Sequence, residues 1–260
     1  MQYPTISEYV KASQDASDNL DMSTEATNAE LNEAITDEFG VKYSKDGRKL
    51  LKVPQKLKGT YAIKEGTKII CDCAFWGCDS LKSLVIPDGV TSIGDRAFED
   101  CSSLNDIIIP DSVTSIGNRA FNECDSLRSV VISDGVTSIG DNAFQFCSAL
   151  NDIIISDSVT SIGIYAFGEC SSLSSLVIPD SVTSIGDWAF YYCDALRSVV
   201  IPDGVTSIGV GAFIGCKSLK SLEIPDSVTS IGFGAFSYCY FPYKLKQELI
   251  SRFGDKIFGN

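Results

Sequence analysis

Histidine is absent from the 260 residues of this chain, and several common chemistries are absent with it. Without histidine there is no Ser-His-Asp or Cys-His nucleophile and no histidine general base, and most ligand sets of catalytic zinc are lost. The glycosylation acceptor Asn-x-Ser/Thr does not occur either. These absences argue against the common hydrolase and metalloenzyme classes.

Positive charge is scarce as well. The chain has 21 Lys and Arg against 34 Asp and Glu, a formal net charge of −13 and a sequence pI near 4.4. We therefore expect no nucleic acid partner, because phosphates require a basic surface. No apolar run reaches transmembrane length, so we expect no membrane insertion. The start lacks the basic and apolar regions of a signal peptide, and the sequence as written predicts a cytoplasmic protein.

The chain does contain a 23-residue unit, repeated about eight times. Phenylalanine recurs at this spacing from Phe75 to Phe236, and threonine from Thr91 to Thr229. In each unit, "SLKSLVIPD" predicts a short strand, "VTSIG" a second extended segment, and "DRAFEDC" one turn of α-helix or 3₁₀ helix. One unit buries too little apolar surface to offset the entropy of ordering its backbone, so the units must stack into a solenoid.

Both ends of the chain differ from the repeats, and we expect them to be natural caps of a whole array. The predicted segments are an acidic helical cap at 1–40, a β-hairpin at 41–61, the repeats at 62–241, and a capping helix at 242–260. A capping box at Thr5 and Glu8 begins the first cap. Ile35 and Phe39 share the four-residue spacing of a second helical stretch, and Gly47 lies in the predicted hairpin turn.

The pattern "SLxSLVIPDSVTSIGxxAFxxC" resembles the BspA-like, or Treponema-type, leucine-rich repeat, from roughly Ala62 to Tyr240. The resemblance implies a repeat solenoid of the α/β leucine-rich-repeat type. Its shape would be a curved, right-handed coil with a parallel β-sheet on the concave face and short helical turns opposite. It also implies a cell-surface, adhesin-like bacterial protein that binds host matrix or surface proteins. Ser112 and Gly89 stand where the ordinary repeat has Asn or Cys, so we expect no asparagine ladder.

Two repeated polar columns carry no predicted chemistry. Cysteine recurs once per repeat, and we interpret the column as buried structural thiols rather than a metal or redox array. The cluster Cys71, Cys73 and Cys78 lacks a fourth zinc ligand at suitable spacing. The aspartates of Pro-Asp-Ser/Gly are typical of turns, and their identical recurrence offers no unique acid/base pair. We predict no enzyme, no catalytic residue, no metal ligand and no cofactor.

The first candidate contact surface is an outward-facing column of β-branched residues, which we call the stripe. Its members are Val85, Ile108, Val131, Ile154, Val177 and Val200. An exposed apolar stripe of this length is unusual on a monomer and is typical of an interface. β-branched residues also suit strands in their own right and shield one another, so both interpretations stay open.

The second candidate surface is a set of aromatic residues beside the Ala-Phe pair of the later repeats. Its members are Tyr165, Trp188, Tyr191, Tyr192, Phe233 and Tyr238. Early repeats are polar at the same positions, as at Arg96 and Glu99. Aromatic residues are enriched at interface hot spots, which favours a contact patch. Alternatively, some of them pack inward against neighbouring turns.

These patterns favour a non-enzymatic scaffold that docks an unidentified protein partner on the solenoid surface, with the chain a monomer. The alternative is a self-associating structural protein that pairs through the stripe and forms at least a weak dimer. The resemblance makes a host matrix or surface protein the expected partner.

Overall fold

A computed structural model describes residues 22–259, which form a β-solenoid of about eight turns. The predicted capping box at Thr5 and Glu8 lies outside the described residues. One turn of the solenoid corresponds to one 23-residue unit, because equivalent residues pair from repeat to repeat: Val131 is opposite Ile108 on one side and Ile154 on the other. The predicted solenoid of stacked repeats is confirmed.

Three sheets, with strands numbered in chain order, run along the solenoid. The first sheet contains β1 (Ile35–Thr36), β2 (Lys42–Tyr43), β3 (Lys49–Lys52), β5 (Ile69–Ile70), β7 (Ser92–Ile93), β9 (Ser115–Ile116), β11 (Ser138–Ile139), β13 (Ser161–Ile162), β14 (Ser184–Ile185), β16 (Ser207–Ile208) and β18 (Ser230–Ile231). The second contains β4 (Gly59–Ala62), β6 (Leu81–Val85), β8 (Asp106–Ile109), β10 (Ser129–Ile132) and β12 (Asp152–Ile155). The third contains β15 (Ser198–Val200) and β17 (Ser221–Glu223).

The two predicted strands of each unit therefore form separate parallel ladders. The "VTSIG" segments build the first sheet, and the longer apolar strands build the second and third sheets. Residues 171–179 occupy the equivalent position between β12 and β15 but form no strand. The first sheet continues past this gap through the parallel pair of β13 and β14.

The helical turn predicted for each Ala-Phe segment is wrong, because the segment forms a ladder of turns instead. Alternate backbone N–H groups donate to the next repeat, as from Arg96 to the Asn118 carbonyl at 2.8 Å and from Phe98 to the Ala120 carbonyl at 2.7 Å. The intervening N–H groups close tight turns within the repeat. Arg96 and Asp100 have positive φ angles of 56° and 61°, which no α-helix contains.

The core is built from residue columns, one residue per repeat. Phenylalanine rings stack along the whole array, from 4.8 Å between the centroids of Phe75 and Phe98 to 5.6 Å between Phe213 and Phe236. All eight rings are fully buried. Each ring therefore has two aromatic neighbours or an aromatic cap, since Tyr61 packs on the first ring and Phe241 and Phe258 pack on the last.

The cysteine column lies in the core, as predicted. The eight residues are Cys78, Cys101, Cys124, Cys147, Cys170, Cys193, Cys216 and Cys239; none forms a disulfide, and all but the half-buried last are buried. The Cys124 thiol donates to the Phe98 carbonyl at 3.2 Å, and the equivalent bond is present in seven repeats in all. A protonated thiol at this position thus supplies a donor to a buried carbonyl oxygen.

At the position after the strand, where we expect no asparagine ladder, Ser112 bonds to Gly89 and Val90, but a ladder of aspartates with one asparagine, which sequence reasoning missed, occupies a different position. The residue after Ser-Ile-Gly, or after Ile-Ile-Cys in the first repeat, accepts a hydrogen bond from the backbone N–H one repeat later: Asp72 from Asp95 at 2.8 Å, and Asp95 from Asn118 at 2.7 Å. The glycine before it allows the turns to approach, since a Cβ on Gly186 would lie 2.7 Å from the Gly163 carbonyl carbon. The ladder was missed because it was sought directly after the strand.

The described part of the N-terminal cap, residues 22–40, contains less helix than the sequence predicts. Helix α1 spans only Asn28–Asn32, begun by a capping box of Thr27 and Glu30. The predicted helical stretch through Ile35 and Phe39 is wrong, because β1 leaves the helix to pair antiparallel with β2. Main-chain bonds to the sheet edge outweigh the four-residue spacing. β2 and β3 are antiparallel, as expected of the hairpin, and β4 already pairs in parallel with β6.

The C-terminal cap contains helix α2 (Tyr243–Phe253) and a 3₁₀ helix (Asp255–Phe258). Leu249 of α2 is buried, and Gly254 with φ 80° ends the helix. The 3₁₀ helix replaces the next repeat, because its Lys256 and Ile257 carbonyls accept the N–H groups of Gly234 and Phe236. The turn ladder is thereby satisfied at its last repeat.

Candidate functional site

The side chains of the invariant columns already pack or hydrogen-bond within the array, so contact surfaces must come from the positions that vary. Phenylalanine, cysteine, glycine and the Asp/Asn residues all have partners within the array. Asp88 of the other aspartate column is exposed in a turn that Val90 closes by donating to the Pro87 carbonyl at 3.4 Å.

The stripe faces outward, as predicted from strand alternation. Its exposed fractions are 54% at Val85, 66% at Ile108, 57% at Ile154, 81% at Val177 and 58% at Val200. Val131 is half-buried. Shallow grooves of about 390 Å³ and about 550 Å³ lie along the stripe, beside Ile108 and Val200 respectively. The stripe is thus an apolar surface without a partner in the described part of the chain.

Four of the six predicted aromatic residues form one cluster, which we call the aromatic cluster. Tyr165 and Trp188 stack with ring centroids 5.2 Å apart and planes 10° apart. Tyr191 meets Tyr165 edge-on at 5.7 Å, and Tyr192 meets Tyr191 at 4.5 Å. All four side chains are half-buried. The cluster therefore presents partly open ring faces and edges rather than a closed core.

Phe233 and Tyr238 lie outside the aromatic cluster. They are 58% and 69% exposed, and among the described residues neither makes a ring contact with the four. The physical reason is the intervening repeat, which has Gly211 and Gly215 at the positions of Trp188 and Tyr192. Because these two glycines have no rings, the series of ring contacts that begins at Tyr165 does not reach Phe233 and Tyr238.

The backbone under the aromatic cluster is held in the left-handed region. Tyr165, Trp188 and Tyr192 each have φ of 53°, a conformation that favours glycine or asparagine and costs about 1–3 kcal/mol for other residues. Asn142 and Gly211 occupy the same turn position as Trp188 in other repeats. Arg96 and Arg119 share this position too, so the turn accepts side chains of very different size and does not itself require a ring.

The rings of the aromatic cluster rest on the next repeat. A Cβ added at Gly211 would lie 2.6 Å from Trp188 Cδ1, and one added at Gly215 would lie 3.0 Å from the Tyr192 ring. The alternative of packing against neighbouring turns thus holds for one side of the Trp188 ring and one side of the Tyr192 ring. The half-buried state shows that the rings also remain accessible to a partner.

Polar residues fill the same positions in the early repeats and show that the scaffold does not require aromatics. Glu99 is only 8% exposed and lies 3.7 Å from Arg96 and 3.9 Å from Arg119. Asn122 donates to Glu99 at 3.3 Å. This ionic cluster is the polar counterpart of the aromatic cluster, about three repeats away.

Sequence reasoning missed two apolar residues beside the aromatic cluster. Ile164 and Val210 occupy the Asp/Asn ladder position in their repeats and are 41% and 36% exposed. The ladder is interrupted at both, since neither side chain can accept the next N–H. The signal was present in the sequence, as the loss of a polar residue after Ser-Ile-Gly.

The surroundings of the aromatic cluster are acidic. The Glu169 N–H donates to the Tyr191 carbonyl at 2.6 Å, and the Tyr165 N–H donates to the Asp187 carbonyl at 3.0 Å. Asp194 follows Tyr192 by two residues. Burial, together with nearby Tyr192 and Glu169, raises the pKa of Tyr191, so its hydroxyl stays protonated at neutral pH. Lys217 lies 5.2 Å from the Tyr192 ring centroid and 3.1 Å from an Asp194 carboxylate oxygen.

Within residues 22–259 no group of three or more His, Cys, Asp or Glu is arranged to hold a metal ion. No helix in this range has both the length and the apolar character to cross a membrane.

Comparisons with known proteins agree with this architecture. The sequence profile of the "BspA type Leucine rich repeat region" matches in six copies, over residues 68–197 and 137–260. The crystal structure of a T. pallidum leucine rich repeat protein is 30% identical, covers 87% of this chain and 95% of its own, and superposes with a TM-score of 0.65. No curated protein matches the chain in sequence.

A second solved structure is similar over most of this chain. It is a leucine-rich repeat protein from Eubacterium ventriosum, 27% identical, with a TM-score of 0.67 and coverage of 78% of this chain. This chain spans 53% of the length of that protein.

Proposed function

We propose that this chain, which belongs to the family of BspA-type leucine-rich repeats, is a non-enzymatic scaffold that binds a protein partner through its aromatic cluster. The repeat columns hold the backbone rigid, and the variable positions carry the contact. An adhesin-like role at a cell surface, with a host matrix or surface protein as partner, is the finer form of this proposal and rests on the family alone.

The observation that carries the proposal is the contact chain of four half-buried rings. Trp188 and Tyr192 of this chain stand at turn positions that glycine fills in the next repeat and polar side chains fill in the early ones. Half-buried, clustered aromatic side chains that the scaffold does not need are the features of an interface hot spot.

A double variant tests the proposal by copying the next repeat. Trp188→Gly with Tyr192→Gly reproduces Gly211 and Gly215 of the next repeat. We expect this variant to fold, with a free energy of unfolding within about 1 kcal/mol of that of the parent, because relieved backbone strain offsets the lost ring contacts. Immobilised parent and variant are each exposed to lysates of bacterial and host cells. We expect proteins that the parent retains to be lost from the variant.

The matched control makes the same two changes in a polar repeat. Arg96→Gly with Asp100→Gly alters residues at φ of 56° and 61°, in the same turn positions. This control should retain the same proteins as the parent. Capture that survives in the cluster variant, or that disappears equally in the control, contradicts binding through the aromatic cluster.

The exposed stripe favours self-association as a second candidate function. The array itself supplies the test residue, since β17 carries Glu223 where β15 carries Val200. If the stripe pairs two copies, sedimentation velocity will show a dimer at high protein concentration that Ile108→Glu abolishes. A concentration-independent monomer for both proteins would exclude self-association and leave the stripe as strand-stabilising residues.

A further inference from the structure

We propose that the aromatic cluster recognises a lysine- or arginine-bearing segment of its protein partner, a step that rests on the proposed function. Aromatic rings attract ammonium and guanidinium groups through the negative faces of their π-systems. The partner is thus defined by the charge it brings to the rings.

Charge complementarity around the aromatic cluster carries the first part of the argument. Glu169, Asp187 and Asp194 lie beside these rings in the chain fold. Lys217 is the one cation that the described residues place over a ring of the cluster. Burial, together with the nearby Tyr192 and Glu169, raises the pKa of the Tyr191 hydroxyl. A cation that approaches these rings meets attraction from both the rings and the carboxylates, whereas an anion is repelled.

An internal cation already shows the chemistry at the edge of the aromatic cluster. The Lys217 ammonium lies 5.2 Å from the Tyr192 ring centroid while pairing with Asp194 at 3.1 Å. Ring and carboxylate thus bind one lysine together. Trp188, the best cation–π acceptor among the side chains, has no such internal cation among the described contacts.

The polar counterpart of the aromatic cluster explains why we do not expect a basic segment to bind at the early repeats. There Arg96 and Arg119 stand at the position of Trp188, whereas Asp100 and Glu123 stand at the position of Tyr192. These turns offer a basic segment no ring at those positions, and the buried Glu99 carboxylate already pairs with the two arginines. The array therefore directs a cationic segment to its C-terminal half.

Defined peptides test the inference. The probes are a capped octapeptide of alternating lysine and glycine, the same peptide with glutamate for lysine, and a neutral oligosaccharide. Binding to the folded full chain is measured by calorimetry at low salt. We expect the lysine peptide to bind the parent and the Arg96→Gly, Asp100→Gly control about tenfold or more tightly than the Trp188→Gly, Tyr192→Gly variant. The glutamate peptide should bind none of them.

Every other outcome overturns the inference. Equal binding of the lysine peptide to parent and cluster variant would mean general attraction to an acidic protein. Cluster-dependent binding of the glutamate peptide or the oligosaccharide would mean a different occupant. Proteins that are captured through the aromatic cluster while the lysine peptide fails to bind would sink the inference alone, and capture independent of the cluster would sink the proposed function as well.

Discussion

Phe144→Ala is expected to destabilise the protein by about 3–5 kcal/mol, because it opens a cavity inside a continuous stack of rings. Phe144 is fully buried, and its centroid lies 5.2 Å from that of Phe121 and 5.5 Å from that of Phe167. Neighbouring turns cannot close the gap, because the flanking ladders fix the repeat spacing. Urea unfolding followed by circular dichroism measures the loss.

The control for this prediction lies two residues away. Phe146 is 36% exposed, so Phe146→Ala should cost less than about 1 kcal/mol. Equal losses for the two variants would show that the repeated phenylalanines do not form the core column described above.

Alkaline conditions are expected to destabilise the protein steeply, because many buried thiols ionise only on unfolding. Burial raises the pKa of Cys78 to about 12 and that of Cys101 further still, and it also raises those of Cys124, Cys147 and Cys170. In the unfolded chain the thiol pKa is about 8.5. Above that pH the unfolded state binds fewer protons, and each thiol removes up to about 1.4 kcal/mol of stability per pH unit until the folded-state pKa is reached.

Urea unfolding at about pH 7, 8, 9 and 10 measures this slope against the unfolded-thiol pKa. Cys147→Val should reduce the slope above pH 8.5 by about one proton, whatever its effect on stability at neutral pH. Ser148→Ala, a neighbouring change at an exposed position without a titrating group, should leave the slope unchanged. Stability that stays flat up to pH 10 would contradict the burial of protonated thiols.

The columns of the fold were predictable, because the 23-residue period fixes which residues stack. Alternation alone predicted the exposure of Val85 between Leu84 and Ile86. The turn ladder was not predictable from one repeat, since the partner of Phe98 N–H is the Ala120 carbonyl of the next. A single unit read by itself satisfies such N–H groups with a helix, and that assumption produced the wrong local structure.

The sequence predicted which residues belong to the candidate site, but not how their side chains are arranged. The drift from polar to aromatic residues identified Tyr165 and Trp188, but not that these two stack while Phe233 stays apart. That grouping depends on glycines in the intervening repeat, whose effect appears only when turns are superimposed. We find no physical reason for the missing strand at 171–179, whose sequence is close to that of its neighbours.

Tryptophan fluorescence tests the central claim most directly, because the chain has two tryptophans and one of them, Trp188, lies in the aromatic cluster. The other, Trp76, is 50% exposed in the first repeat, and Trp76→Phe leaves Trp188 as the single reporter. Titration with the lysine peptide should change its emission saturably, at the affinity found by calorimetry. A peptide that binds without altering this emission would contact another surface and contradict the account.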